Sequence, residues 1–228
     1  MSTSKSQPAN PRKTQWKQDP DAVRADIIKV ATSEFAKNGF SGARVDDIAA
    51  KTRASKRMIY YYFTDKDGLY LAVLEAEYAR VRQGEADLQL EGLDPISALR
   101  RLVEFTFENH YKMPEFIRLV MTENIHNARH LKLSETIPKL NHAAIEKLEK
   151  LCARGRSEGV FRQDIEALHL HWIISSFSFF NVSNRATFSY SFGPSLQTPE
   201  GQAALRERAI DMVLRATVAD PALIETAA

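Results

Sequence analysis

The sequence predicts an all-α protein, with an N-terminal module of three helices and a larger C-terminal helical domain, about nine helices in all. Three observations carry this. Glycine is scarce, nine in 228 residues, about half the usual ~7%, which speaks against glycine-rich phosphate loops. Apolar residues recur at helical spacing through most of the chain. No stretch alternates as a strand between hairpin turns.

The helix starts are punctuated. Asp19-Pro20, Asp94-Pro95 and Thr198-Pro199 each pair a capping side chain with a proline at the first helical position. After the first of them Val23, Ile27, Val30, Ala31 and Phe35 follow at helical spacing, and Gly39 is expected to close the helix. The same period runs through 69–81, 98–107, 116–121, 145–152, 168–180 and 205–214. Two unusually short segments lie between, 45–51 and 55–61, separated by Thr52-Arg53-Ala54. Asp46 and Asp47 open the first of them, where carboxylates suit the helix dipole. Asp65 is the expected cap of the long helix that follows.

Composition excludes several classes. At 44% hydrophobic and 26% charged the chain lies outside the disordered range. Its single cysteine, Cys152, permits no intramolecular disulfide and no cysteine-based zinc site. The first 19 residues are polar, without a secretory pattern. The longest uncharged stretch, 167–184, carries too many His, Ser and Asn for a lipid-facing span. A soluble, cytoplasmic protein without a membrane partner is expected. No Ser-His-Asp, Cys-His or phosphate-loop arrangement is visible, so neither an enzyme nor a bound cofactor is expected.

The near-neutral total of +2 hides a division. Residues 1–66 hold 13 Lys+Arg against 7 Asp+Glu, a net of +6; the remainder holds 18 against 22, a net of −4. The first part suits a polyanion. Residues 1–18 carry Lys5, Arg12, Lys13 and Lys17 with no acid and no apolar period. They read as a disordered basic arm, either a solvated tail or an arm that touches DNA.

Two short helices joined by a tight turn make a helix-turn-helix pattern, and the second has the composition of a DNA reader. Ser55, Lys56 and Arg57 stand at its N-terminus, where free backbone N–H groups favour phosphate. Arg and Lys reach guanine O6 and N7, Met58 suits a thymine methyl, and the hydroxyls of Tyr60, Tyr61 and Tyr62 can donate to phosphate oxygens. Ile48, Ala49, Ile59 and Phe63 remain to hold the helices together.

These residues carry a family resemblance. Gly39-Phe40, Asp47-Ile48-Ala49, Thr52-Arg53-Ala54-Ser55, Ile59-Tyr60-Tyr61-Tyr62-Phe63 and Lys66-Asp67-Gly68-Leu69 resemble the DNA-binding module of the TetR (tetracycline-repressor-like) regulators over about 50 residues. The resemblance implies a base-reading role for Lys56, Arg57 and Met58. It implies phosphate contacts from Tyr60, Tyr62 and Lys66, and a backbone contact from Arg44 at the start of the second helix. The module is then 19–68, and 69–228 is an effector-binding and dimerisation domain. Two residues depart from the pattern. Arg53 replaces a turn glycine, at a cost of roughly 1 kcal/mol if the site needs positive φ; in a regular turn it adds a phosphate contact instead. Ala43 stands where a capping Thr is common, leaving the second helix without a side-chain cap.

The second domain is apolar where it is least charged. Residues 171–181 are apolar on more than one face, so a single core cannot bury them. The resemblance implies a homodimer through the last two helices, 168–180 and 205–214. It also implies a small-molecule pocket, with apolar candidates Phe105, Phe116, Leu119, Val120 and Trp172 and polar candidates His110, Glu123, Asn124, Asn181 and Asn184. The expected function is a ligand-responsive transcriptional regulator, a repressor by the commoner family outcome, that binds a pseudo-palindromic double-stranded DNA operator as a dimer.

One constellation points elsewhere. Glu123-x-x-His126, Glu166-x-x-His169, Glu104 and Glu108 have the ligand types of a di-iron bundle oxidoreductase. Against this, Glu166 sits beside Asp164 in what reads as a first helical turn, and His169 and His171 face different ways. Glu123, His126 and His130 share a face at i, i+3 and i+7, which leaves a metal-sensing regulator as the other alternative.

Overall fold

The computed structural model describes residues 19–226, so the expected N-terminal arm at 1–18 lies outside the described residues. The described chain forms eleven α-helices. They are α1 (Pro20–Gly42), α2 (Val45–Lys51), α3 (Lys56–Phe63), α4 (Lys66–Ala86), α5 (Pro95–Lys112), α6 (Pro114–Ile125), α7 (Thr136–Ser157), α8 (Ala167–Ser183), α9 (Arg185–Phe192), α10 (Pro199–Thr217) and α11 (Ala222–Thr226). Two short 3-10 turns, Leu131–Leu133 and Ser195–Gln197, interrupt the connections. The two helices beyond the expected nine are α9 and α11. Helix α9 buries no residue, so it shows no apolar stripe to read.

The three proline-led starts form as the sequence predicts. Asp19 accepts the Ala22 N–H at 3.0 Å, Asp94 those of Ile96 and Ser97 at 3.0 Å, and Thr198 that of Gly201 at 3.0 Å. Gly39 does break α1, with φ 68°, but the chain turns helically again to Gly42 before leaving.

The fold divides between Val73 and Leu74, inside α4, into two compact units. The first is built on the stripe the sequence predicts. Ile27, Ala31 and Phe35 of α1 are buried with Ile48, Ile59, Phe63, Leu69 and Tyr70, while Val30 and Ala49 are only half-buried. The Phe35, Phe40 and Tyr70 rings cluster, Phe35 and Tyr70 meeting edge-on at 4.9 Å. The exit from α3 is tight. Thr64 has φ 67° and the Asp65 N–H donates to the Phe63 carbonyl at 2.7 Å, a γ-turn that strains a non-glycine residue. Asp65 then caps α4 at the Gly68 N–H, 2.7 Å. A Cβ on Gly68 would lie 2.2 Å from the Phe63 carbonyl oxygen, so only glycine fits there.

The second unit packs α5, α7, α8 and α10 around Leu99, Val103, Leu151, Cys152, Phe161, Leu170, Ile174, Ile210, Val213 and Leu214. Cys152 is buried, and burial pushes its thiol up to about 11, so it is an inert core residue. Among the described residues there is no named strand; an isolated bridge joins Phe161 to Val218. It ties the α7–α8 connection to the end of α10, and the Phe161 ring fills the space where a Cβ of Gly155 would sit. No helix of the described residues is long and apolar enough to cross a membrane.

Candidate nucleic-acid interface and effector site

Helix α3 presents its polar residues outward because Ile59 and Phe63, four apart, take its inner face. Ser55 is the N-cap, its hydroxyl accepting the Met58 N–H at 3.3 Å. The hydroxyl expected to face DNA therefore already serves the helix. Lys56, Arg57, Met58, Tyr60 and Tyr61 are all exposed, Tyr61 at 84%. Tyr62 and Lys66 are half-buried; Tyr62 meets the Tyr61 ring edge-on at 5.4 Å, and the Lys66 ammonium lies 4.8 Å over the Phe40 ring.

Lys56 is not a free cation. Its ammonium pairs with Asp46 at 2.9 Å and lies 6.0 Å from the Tyr60 ring centroid. The hydrogen-bonded Asp46 carboxylate holds it above its ordinary range. Spacing along the chain assigns Asp46 only a dipole role; the pairing needs the turn to bring α2 against α3. Arg57 has no hydrogen-bond or ion-pair partner among the described residues. That leaves it as the side chain at the head of α3 with its full donor fork available.

The two departures resolve differently. Non-glycine residues with positive φ among those described are Thr64, Asn127 and Ala128, not Arg53. The turn is regular there and Arg53 carries no strain; its amide donates to Asp26 at 3.4 Å. Arg44 proves to be the N-cap of α2, exposed, and no side chain caps that helix.

The effector candidates are not brought together. Leu119 is fully buried, and Phe116 and Val120 pack with Val81, Met113 and Ile117 as a small satellite core. Phe105 stands against Gly84, where any Cβ would lie 2.8 Å from its ring. Asn124 is exposed, and so is Trp172, at 71%. Trp172 follows Leu168 at i+4, on the side of α8 away from buried Leu170 and Ile174, which is why it lines no interior cavity. His110 is buried, with Nδ1 unpartnered among the described residues. Desolvation, then the charge of Arg82 and the nearby His171, push it down to about 4; His171 is pushed down to about 4 by the same burial and Arg82.

Only Asn181 and Asn184 of the ten line a cavity of about 500 Å³ in the second unit. Its other walls include Phe107, Phe177, Phe180, Phe188, Arg208 and Met212. Sequence spacing does not reveal these residues, because they converge from α5, α8, α9 and α10.

The metal constellations come apart. Glu123 is buried and accepts the N–H groups of His130 and Leu131 at 2.9 and 3.1 Å, with His130 Nδ1 3.0 Å from its other oxygen. Helix α6 ends at Ile125, so the expected shared face with His126 and His130 does not form; Glu123 instead staples a turn with positive φ at Asn127 and Ala128. Glu166 and His169 are exposed, and Glu104 and Glu108 are neutralised by Arg206 at 3.7 and 2.8 Å. No group of three metal-ligating side chains occurs among the described residues.

Residues 27–73 match the family model of bacterial regulatory proteins of the tetR family. Residues 95–213 match the tetracyclin repressor-like C-terminal domain. The HTH-type transcriptional repressor NicS of Pseudomonas putida is 36% identical over 198 residues, 87% of this chain and 93% of the relative. The HTH-type transcriptional regulator RutR of Escherichia coli is 28% identical over 107 residues, 47% of this chain and 50% of the relative. A crystal structure of a TetR family transcription regulator from Marinobacter aquaeolei superposes with a TM-score of 0.66 at 22% identity, over 89% of this chain and 98% of the other. At that identity the likeness speaks for the fold.

Proposed function

The chain belongs to the TetR family of bacterial transcriptional regulators, and we propose that it is a cytoplasmic, dimeric repressor whose recognition helix is α3. One observation carries the reading: the exposed Lys56-Arg57-Met58 head of α3, with Ile59 and Phe63 anchoring it from behind. Arg57 is the base reader, bidentate to a guanine edge. Lys56 reads beside it, aimed by Asp46. Tyr60, Tyr61, Tyr62, Lys66 and Arg44 grip phosphates on either side.

Dimerisation runs through α8 and α10. Leu168 and Trp172, one turn apart on the side of α8 away from its buried residues, are 63% and 71% exposed. So much apolar surface on one helix face supports an interface with a second copy. Two heads then address half-sites about one helical turn apart on a pseudo-palindromic operator. A small molecule held by the second unit disfavours the DNA-bound form, and by linkage operator DNA weakens that ligand equally.

The test is a footprint on the DNA upstream of the protein's own coding region. A protected palindrome is expected, with affinity falling steeply as salt rises. Absence of protection at low salt, or an affinity indifferent to salt, overturns the reading.

A further inference from the structure

We propose that the effector seat is the cavity of about 500 Å³ between α5, α8, α9 and α10, and that it takes an amphipathic carboxylate with a flat aromatic body. This rests on the ligand-responsive reading above and names the ligand's chemistry. The volume lies in the range of small-ligand sites.

The apolar part of the wall is aromatic. Phe107, Phe177, Phe180 and Phe188 line it, and the last two already meet edge-on at 6.3 Å. A flat ring among them repeats the same offset and edge-to-face contacts. The amide part is pre-set. Asn181 and Gln202 exchange hydrogen bonds at 2.8 and 3.1 Å, so the Asn181 side chain is fixed before any ligand arrives.

The charged part selects the sign. Arg185 and Arg208 line the cavity and no Asp or Glu does. Nearby arginines on α10 are committed: Arg206 to Glu108 at 2.8 Å, Arg215 to Asp211 at 2.8 Å. Neither Arg185 nor Arg208 meets a carboxylate among the described residues, although Arg185 lies 5.3 Å over the Tyr111 ring. In a part of the chain with a net of −4, two cations on an acid-free aromatic wall are complementary to an anion. A planar carboxylate matches the guanidinium fork bidentately.

The experiment titrates the full chain with 2-naphthoate and with uncharged 2-naphthalenemethanol by calorimetry. The carboxylate is expected to bind at least about tenfold tighter than the alcohol. Arg208→Gln and Arg185→Gln each reduce that preference, lowering the carboxylate's affinity more than the alcohol's. Ser176→Phe, which fills the cavity from α8, lowers binding of both. Equal affinity for the two probes, an unchanged preference in both arginine variants, or no heat with either probe overturns the proposal. So does a dimer in which the partner's side chains occupy the cavity. Operator binding is measured separately by fluorescence anisotropy. Its absence with 2-naphthoate binding intact breaks the regulator reading alone, whereas ligand binding that leaves operator affinity unchanged removes the cavity's role as effector seat.

Discussion

Helices α3 and α8 both turn large side chains outward, and what they expose differs in kind. Helix α3 shows Lys56, Arg57, Tyr60 and Tyr61, groups that stay comfortable in water and carry donors suited to phosphate and base edges. Helix α8 shows Leu168, Trp172 and Phe180, groups that water disfavours. A partner is optional for the first surface in stability terms and close to obligatory for the second. The proposed reading head is therefore charged, and the proposed dimer face apolar.

The largest expected effect breaks the α3 side of the comparison. The double variant Lys56→Ala, Arg57→Ala should weaken operator binding about 1,000-fold, because it removes both proposed base-reading cations at once, with unchanged helical circular dichroism. A loss below tenfold would move the reading surface elsewhere. Next comes a pair on the two faces of α8. Ile174→Ala should cost about 3 kcal/mol of stability in denaturant melts, because Ile174 is a core residue. Trp172→Ala, two residues away, should leave the protomer's fold intact and weaken the dimer by about 2 kcal/mol, read by sedimentation velocity. Equal behaviour of the two variants would erase the distinction between the faces.

The buried histidines sharpen the contrast between a wet head and a dry second unit. His110 and His171 are held neutral with folded values of about 4, below the ordinary 6.5. The unfolded chain binds their protons first, so stability is full above pH 6.5 and falls as pH drops toward 4. A loss of roughly 2 kcal/mol by pH 5 is expected after discounting the partial exposure of His171. The double variant His110→Asn, His171→Asn should flatten that part of the pH profile. Asp94→Ala should cost about 1 kcal/mol through the lost cap of α5, visible as a lower Tm. Smallest of all, Arg53→Gly should cost about 0.5 kcal/mol, the entropy that glycine adds to the unfolded chain, since the native φ there is not positive; a gain of about 1 kcal/mol would show that the turn is strained after all.

The fold was legible where local chemistry repeats. Asp19, Asp94 and Thr198 cap the helices that their Asp/Thr-Pro pairs announce, and Ile27, Phe35, Ile59 and Phe63 occupy the expected core. Helix α3 was legible for the same reason: eight consecutive residues carry it. The cavity was not. Asn181 and Asn184 were among the candidates, but Phe107, Phe188, Arg208 and Met212 are separated by up to about a hundred residues, and no periodicity links them. Glu123 misled because its spacing to His126 and His130 presumes a helix that ends at Ile125.

By itself the sequence determined nine of the eleven described helices, the caps at Asp19, Asp65, Asp94 and Thr198, the charge division and the residues that head α3, because each depends on neighbours within a turn or two of the chain. The tertiary structure alone decided that Asp46 holds Lys56, that Arg53 sits in an unstrained turn, that Trp172 faces outward and that Phe107 shares one wall with Phe177, Phe180 and Phe188. Those outcomes depend on which helix faces pack together, and packing is set by the sum of many weak contacts that no short window of sequence contains.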